Sequence, residues 1–352
     1  MTRPPTMSER LLEVEELRVS FRTEDGVVEA VDGVSFHVEA GEVLAIVGES
    51  GSGKSVTAMT LLGLTRGPNT RLEGSATLGG VDLVSAPDAQ LRRIRGAELA
   101  MVFQDPMTAL NPVQRIGPQI VEQIRAHDER IDGRAALARA VELLGRVGIP
   151  RPETRARAYP HELSGGMRQR VMIAMALSCS PRVLVADEPT TALDVTIQAQ
   201  ILEEVKGCAQ AGMGVILITH DLGVVADVAD RVAVMYAGRI VEQGTLDELF
   251  YDPQHPYTWG LLGSITRIDG VRPPRLPTIP GTPPSLLQPP QGCRFRPRCP
   301  HAFEQCAQLP PLAARSGEPH HLDRCWLTPA QKREKRVVGD EIGLVAAGTV
   351  IA

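Results

Sequence analysis

A glycine-rich segment that could bind phosphate lies between an apolar run and a helical run. Residues 48–55 have the sequence GESGSGKS, which fits the pattern G-x-x-x-x-G-K-[ST] directly after VLAIV at 43–47. Glycines let backbone amides curl around phosphate oxygens, and the N-terminus of the following helix adds partial positive charge. The lysine of such a loop reaches the β- and γ-phosphates, and the next hydroxyl can bind Mg²⁺. The predicted phosphate-binding residues are Gly48, Ser50, Gly51, Ser52, Gly53, Lys54, Ser55 and Val56.

Two adjacent carboxylates follow a second apolar run. The sequence RVLVADEPT places Asp187 and Glu188 at the carboxyl end of a predicted strand, 183–186, where ligands of open α/β sheets bind. We expect Asp187 to hold Mg²⁺, through water, and Glu188 to polarise a water molecule for attack on a γ-phosphate. An isolated Asp-Glu pair could equally cap a helix, but a phosphate loop on a neighbouring strand favours the catalytic interpretation.

A second potential anion site lies between these two motifs. In LSGGMRQR, residues 163–170, Ser164 is a plausible N-cap, Gly165 and Gly166 follow it, and a helical run comes next. One nucleotide does not need two γ-phosphate sites. In this order the three motifs resemble those of the ATP-binding cassette (ABC) family, in which this signature binds the ATP held by a partner subunit. The resemblance implies ATP as ligand and a second ATPase subunit, a copy or a paralogue.

Four further positions match the family residue by residue. Phe21 resembles the aromatic residue that stacks on adenine, and Gln104 the glutamine that senses Mg²⁺ and the attacking water. The segment TALD, which ends at Asp194, resembles the loop that links the two active sites of the family. His220 resembles the switch histidine that contacts the γ-phosphate. The chain departs from the family at Met167, where glutamine is usual; the serine and glycines are intact, so we expect a working half-site.

The alternation of apolar and helical runs predicts an α/β domain with a largely parallel sheet. The resemblance implies a P-loop ATPase core with a RecA-like mixed sheet, an N-terminal antiparallel β-subdomain and a helical subdomain at about 92–182. That subdomain would touch membrane subunits near residues 105–117. Two alternating runs around Ala237-Gly238 predict a hairpin. The expected units are a tail at 1–10, the ATPase domain at 11–250, a C-terminal extension at 251–330 and a tail at 331–352.

Four cysteines follow a proline-dense connector at 271–292. We expect a cytosolic chain, because it shows no apolar run of signal-peptide or membrane-span length, and in the cytosol clustered thiols favour a metal or cluster over disulfides. The tight C-x2-4-C pairs of structural zinc sites are absent, whereas the thiolates of a [4Fe–4S] cluster vary more in spacing. Zn²⁺ and free or oxidised thiols stay open as alternatives. The four candidate ligands are Cys293, Cys299, Cys306 and Cys325; Cys179 and Cys208 are expected to pack as small apolar residues.

The wording of several segments resembles the oligopeptide, dipeptide and nickel import branch of the family. These segments are VDGVSF, FQDPMTALNP, HPYTWGLLGSI and the cysteine segment, residues 292–306. Members of this branch carry a [4Fe–4S] cluster in the extension. The resemblance implies a peptide importer whose ATPase lies on the cytoplasmic face of the membrane, with two transmembrane permease subunits and an extracytoplasmic substrate-binding protein.

Three other functions compete with peptide import. A nickel importer is the nearest alternative. A soluble ABC ATPase of DNA repair or translation is disfavoured, because coiled-coil insertions and tandem cassettes are absent and the net charge of −5 gives no reason to expect nucleic acid. A regulatory module without hydrolysis is disfavoured by the intact Lys54, Glu188 and His220.

Overall fold

The fold is built on two β-sheets. The computed structural model describes residues 9–105, 109–190, 194–264, 278–314 and 318–340. The first sheet has four strands in the order β2-β1-β4-β5, and the second has eight in the order β11-β12-β10-β9-β3-β8-β7-β6. The strands are β1 Arg10–Thr23, β2 Gly26–Glu39, β3 Val43–Val47, β4 Thr70–Leu78, β5 Val81–Asp82, β6 Leu99–Val102, β7 Val183–Asp187, β8 Gly214–Thr219, β9 Arg231–Tyr236, β10 Arg239–Thr245, β11 Ala313–Ala314 and β12 Leu322–Asp323.

The centre of the larger sheet is parallel. Strands β9, β3, β8, β7 and β6 run in the same direction, and β3, β7 and β8 are buried at every position. Their continuous Val, Ile and Leu content fits strands that are covered on both faces. The register aligns Val47 with Thr219 and Asp187 with Ile218, so the strands end together. The loops that follow them therefore meet at one edge of the sheet.

Helices cover the sheet and form a separate layer between β6 and β7. Apolar residues of this layer, among them Ile120, Ile124, Leu143 and Leu144, share one core cluster with Val171. The predicted helical subdomain at about 92–182 contains this layer, and residues 106–108 of its expected membrane contact lie outside the described residues. The helices are α1 Lys54–Leu61, α2 Asp88–Ile94, α3 Ile116–His127, α4 Gly133–Arg146, α5 Pro152–Arg155, α6 Gly165–Leu177, α7 Val195–Gln210, α8 Leu222–Val228, α9 Leu246–Tyr251, α10 Pro256–Gly263 and α11 Pro329–Asp340. Among these, none is long and apolar enough to cross a membrane.

The predicted hairpin is present as β9 and β10. Ala237 and Gly238 both have positive φ, 45° and 82°, as the two central residues of a type I′ turn require. The expected tail at 331–352 includes most of α11, which begins at Pro329. Thr328 and Gln331 start this helix, since Gln331 N donates to the Thr328 hydroxyl and Thr328 N to the Gln331 side chain. Residues 341–352 lie outside the described part.

The expected C-terminal extension is joined to the rest of the fold by strand pairing and packing. Strand β12 pairs with β10, aligning Asp323 with Glu242, and so lengthens the main sheet. The described part of the connector, 278–292, forms neither helix nor strand and packs on the core, where Glu29 N donates to Leu286 O at 2.9 Å. A short 3₁₀ helix, Arg296–Arg298, follows. This packing supplies the apolar contacts that the proline-rich segment lacks by itself.

Candidate active site

The glycine-rich loop is wedged between the two sheets. It connects β3 to α1, and two of its glycines lie against backbone atoms of other strands. A Cβ on Gly48 would come within 2.1 Å of Met235 O, and one on Gly53 within 2.4 Å of Ala30 O. Both glycines also have positive φ, 155° and 103°. Only glycine can therefore occupy these positions in the observed loop.

Lys54 begins α1 and lies inside the curl of the loop. It is 5% exposed, and its Nζ donates to Gly48 O at 2.7 Å and Glu49 O at 3.0 Å. Burial lowers the pKa of Lys54, while the charges of Glu188 and Asp187 oppose that shift. The ammonium group is thus held inside the loop by two of its carbonyl oxygens.

Asp187 and Ser55 form a candidate site for a divalent cation. Asp187 is 4% exposed at the end of β7, and its carboxylate is hydrogen-bonded to the Ser55 hydroxyl. Burial raises the pKa of Asp187, whereas the Ser55 hydrogen bond lowers it. Asp187 Oδ1 is buried and has no hydrogen-bond partner among the residues that the structure describes. A buried carboxylate oxygen is costly to leave unpaired, and oxygen ligands of this kind suit Mg²⁺. The pair therefore fits the expected cation.

Glu188 is held from two sides by polar side chains. Its Oε2 accepts a hydrogen bond from Gln104 Nε2 at 2.8 Å, and its Oε1 lies 3.1 Å from His220 Nδ1. The backbone of Glu188 has φ 46°, a strained conformation for a non-glycine residue, and its N–H donates to Ile218 O at 2.8 Å. The structure thus brings together three side chains that the sequence predicted separately, in an arrangement that can orient a water molecule.

The SGG segment starts α6 at the surface. Ser164 is exposed, and its hydroxyl caps the helix by accepting from Met167 N at 3.3 Å. A Cβ on Gly165 would meet no atom within 4 Å, so the backbone is open to approach there. Among the described residues, no hydrogen bond joins this segment to the glycine-rich loop. Met167 uses its backbone amide for the cap, and its side chain packs against the helical core.

Comparisons with known proteins agree with this geometry. The profile of the ABC transporter family matches residues 31–191, and that of the oligopeptide/dipeptide transporter C-terminal region matches 241–306. The chain is 53% identical to the oligopeptide transport ATP-binding protein OppD of Bacillus subtilis over 90% of this chain and 89% of that protein. The chain belongs to the ABC transporter family. It is also 50% identical to the dipeptide transport ATP-binding protein DppD of the same organism, over 94% of this chain and 99% of that one.

Solved ABC structures share the fold. The ATP-binding cassette MJ0796, in a dimeric post-hydrolysis state bound to ADP and Pi, is 26% identical with a TM-score of 0.61. The match covers 67% of this chain and 98% of that cassette. The expected P-loop α/β fold is therefore confirmed, and the part of this chain beyond the cassette includes the C-terminal extension.

Two further predicted residues of this ABC ATPase lie beside the elements already described. Phe21 is half-buried on β1 and pairs with Val28 of β2, two residues from the Ala30 carbonyl that borders the loop. Asp194 caps α7 by accepting from Ile197 N at 3.0 Å, and the Ile197 side chain contacts Gly166. Asp194 and the signature segment are thus neighbours. Residues 191–193 of the TALD loop lie outside the described part.

The four cysteines of the extension line one small cavity. Phe295 and two histidines also line this cavity. The cysteines are Cys293, Cys299, Cys306 and Cys325. As the described side chains are placed, no group of three or more Cys, His, Asp or Glu forms a ready metal site. Of the other two thiols, Cys208 is buried in the helical core as expected, and Cys179 is half-buried with its Sγ 3.8 Å from Gln123 O.

Backbone amides surround three of these sulfurs. Burial raises the pKa of Cys293, and it raises that of Cys299 and of Cys325 to about 12. Backbone hydrogen bonds oppose these shifts: Phe295 and Arg296 donate to Cys293, His301 to Cys299 and Leu327 to Cys325. Such donors stabilise thiolates and tune iron–sulfur ligands. Cysteine sulfurs are soft ligands of the kind that zinc and iron–sulfur clusters take.

Sequence reasoning missed the partners of Glu49 in the loop. Arg298 and Tyr257, both from the C-terminal part of the chain, bind its carboxylate and its backbone N–H. An acidic residue inside a phosphate loop is a signal, because it needs a cation nearby to avoid repelling the ligand. The arginine lies between Cys293 and Cys299 in the sequence, far from the loop that it contacts.

Proposed function

We propose that this chain is the ATP-hydrolysing subunit of an importer for dipeptides and oligopeptides. The observation that carries the proposal is the identity of 53% and 50% to oligopeptide and dipeptide transport ATP-binding proteins along 90% and 94% of this chain. The similarity includes the C-terminal region, which the cassette alone does not contain. This region is the part of the chain that favours the peptide branch.

In the proposed reaction, the loop binds ATP and Mg²⁺. The backbone amides and Lys54 hold the β- and γ-phosphates, Ser55 and Asp187 hold the cation directly or through water, and Phe21 stacks on adenine. The unpartnered oxygen of Asp187 beside the Ser55 hydroxyl supports the cation assignment. The cation would neutralise charge that develops on the phosphates.

Hydrolysis is assigned to Glu188. Its carboxylate accepts a proton from the attacking water, while Gln104 and His220 hold it in place. Gln104 would also sense the cation, and His220, which is largely exposed, would contact the γ-phosphate. The hydrogen bonds from both sides fix which face of the carboxylate meets the water.

A second ATPase subunit is needed to complete each site. Ser164, Gly165 and Gly166 are proposed to bind the γ-phosphate held by that subunit, which is a second copy or a paralogue. Their exposure at the start of α6 supports this role. Asp194 lies next to them and would link the two sites.

The chain is proposed to act at the cytoplasmic face of the membrane. Two permease subunits would contact its helical layer, about residues 92–182, and an extracytoplasmic binding protein would deliver the peptide. Closing of the two ATPase subunits would move that layer and so rearrange the permeases.

We also propose a [4Fe–4S] cluster, with Zn²⁺ as the alternative, at Cys293, Cys299, Cys306 and Cys325. The shared cavity and the backbone donors to three of the sulfurs support four-thiolate binding. The role would be structural or regulatory, because ATP-driven transport needs no electron. Anaerobic purification with iron, sulfide and absorption analysis tests it; a colourless protein with stoichiometric zinc would contradict the iron assignment.

Reconstitution tests the transport function. The chain is co-expressed with its permease subunits and second ATPase subunit, placed in liposomes and supplied with the binding protein. We expect peptide-loaded binding protein to stimulate ATP hydrolysis and peptide uptake. Stimulation by nickel and not by peptides, or full activity without permeases, would contradict the proposal.

A further inference from the structure

Glu49 of the phosphate loop is held at two points by the C-terminal part of the chain. Its backbone N–H donates to the Tyr257 hydroxyl at 2.9 Å. Its carboxylate forms two parallel contacts with Arg298, Nη1 to Oε2 at 2.7 Å and Nη2 to Oε1 at 3.1 Å. Tyr257 lies in α10, and Arg298 ends the 3₁₀ helix between Cys293 and Cys299.

Arg298 is itself fixed by buried contacts. Its Nε donates to Pro280 O at 2.8 Å, its Nη2 to Ile279 O at 3.2 Å and its Nη1 to the Tyr236 hydroxyl at 3.3 Å. The guanidinium also lies over the Tyr236 ring, 5.8 Å from its centre, and the side chain is only 6% exposed. A planar guanidinium group that is fixed by several contacts binds a carboxylate in one orientation. Arg298 therefore fixes Glu49 rather than following it.

The position of Glu49 affects both Lys54 and the phosphates that the loop is proposed to bind. The Glu49 carbonyl accepts from Lys54 Nζ at 3.0 Å, so a shift of this residue shifts the lysine that faces phosphate. Its carboxylate is a negative charge in a loop built for a polyanion. Without a paired cation that charge would repel the phosphates.

We propose that Arg298 and Tyr257 are positioning residues of the ATP site. They hold Glu49 by its carboxylate and its amide, and Arg298 neutralises the charge next to the bound phosphates. The C-terminal extension is thus a component of nucleotide binding as well as a marker of the branch. The proposal requires only ATP binding at the loop, and is independent of the peptide substrate and of the metal at the cysteines.

The test is nucleotide affinity in the purified chain, measured with Mg²⁺ and a fluorescent ATP analogue. Arg298→Gln should raise the dissociation constant about tenfold, the size of one charge-assisted hydrogen bond. KM for ATP should rise in parallel while kcat changes less than about twofold, because Arg298 does not touch the reacting atoms. Arg333→Gln, at an exposed position of α11, should match wild type.

A double variant distinguishes the loss of the Glu49–Arg298 contact from a general loss of folding. In the double variant Glu49→Gln/Arg298→Gln no unpaired charge faces the phosphates, so affinity should return to within about threefold of wild type. If Arg298→Gln does not fold, Arg298→Lys tests the positioning role alone, since it keeps the charge and loses the paired contacts, and it should still weaken ATP binding. Unchanged affinity in the Arg298 variant, or a double variant as weak as Arg298→Gln, would overturn the proposal.

Discussion

Glu188 Oε1 and His220 Nδ1 lie 3.1 Å apart although the two residues are 32 positions apart in the sequence. The contact exists because β7 and β8 are adjacent parallel strands that end at the same level. Glu188 follows the first strand and His220 the second. The hydrogen bond therefore ties the candidate general base to a mostly exposed side chain at the mouth of the site.

His220→Ala should lower kcat by about 10- to 100-fold, because the carboxylate loses one of the two contacts that orient it. KM for ATP should change much less. The same substitution in a Glu188→Gln background should cause little further loss, since the two residues act as a unit. Additive losses measured by phosphate release would contradict this coupling.

Asp187→Asn should raise the Mg²⁺ concentration for half-maximal ATPase activity at least about tenfold, because it removes the charged ligand beside Ser55. The effect should also depend on pH. Burial raises the pKa of Asp187, so protonation should begin to compete with Mg²⁺ at a higher pH than for an ordinary aspartate. Mg²⁺ titrations at several pH values check both. Asp88→Asn, at an exposed position, serves as the control, and an unchanged Mg²⁺ requirement in Asp187→Asn would exclude the assigned role.

The buried His321–Glu242 pair predicts a pH-dependent contribution to stability. Burial lowers the pKa of His321, but the hydrogen bond and charge of Glu242 outweigh it and the net shift is upward. The stabilisation is therefore complete below the unfolded value of about 6.5 and lost as pH rises through the folded pKa. The difference in Tm between wild type and His321→Gln should shrink as pH rises above about 6.5. His320→Gln, at the exposed neighbouring position, should show no such trend. A difference that grows with pH would refute the sign.

Lys332 and Asp323 form a second buried pair, 2.5 Å apart with both side chains 1% exposed. Lys332→Met should destabilise the extension by about 3–5 kcal/mol, because it leaves a buried carboxylate without its cation. Hydrogen exchange across β12 and α11 would report the loss locally. Arg333→Met, on the exposed side of the same helix, should have little effect. Equal protection in the two variants would show that the pair does not anchor α11.

Much of the site was predictable from local sequence. Strands β3, β7 and β8 are continuous apolar runs because both faces of the sheet are covered, and each leads directly into a motif. A loop, a carboxylate pair and a histidine at the ends of three parallel strands must then meet at one edge. The local sequence patterns thus predict that Lys54, Glu188 and His220 lie close together.

The contacts that attach the extension were not predictable in this way. Arg298 and Glu49 lie 249 positions apart, and no local pattern pairs them. The sequence of α11 shows no clear apolar period. Among the side chains that the structure describes in this helix, the buried one is Lys332, which is charged and paired with Asp323. Its start carried a usable signal, however, since Thr328 and Gln331 have the spacing of a capping box.

The central claim is that the site around Glu188 hydrolyses ATP, and Glu188→Gln tests it most directly. ATP binding and phosphate release should be measured on the same preparation of wild type and variant. The account predicts binding within about threefold of wild type and turnover reduced by about 10²- to 10⁴-fold, the usual contribution of a positioned general base. Near-normal phosphate release by the variant would contradict it.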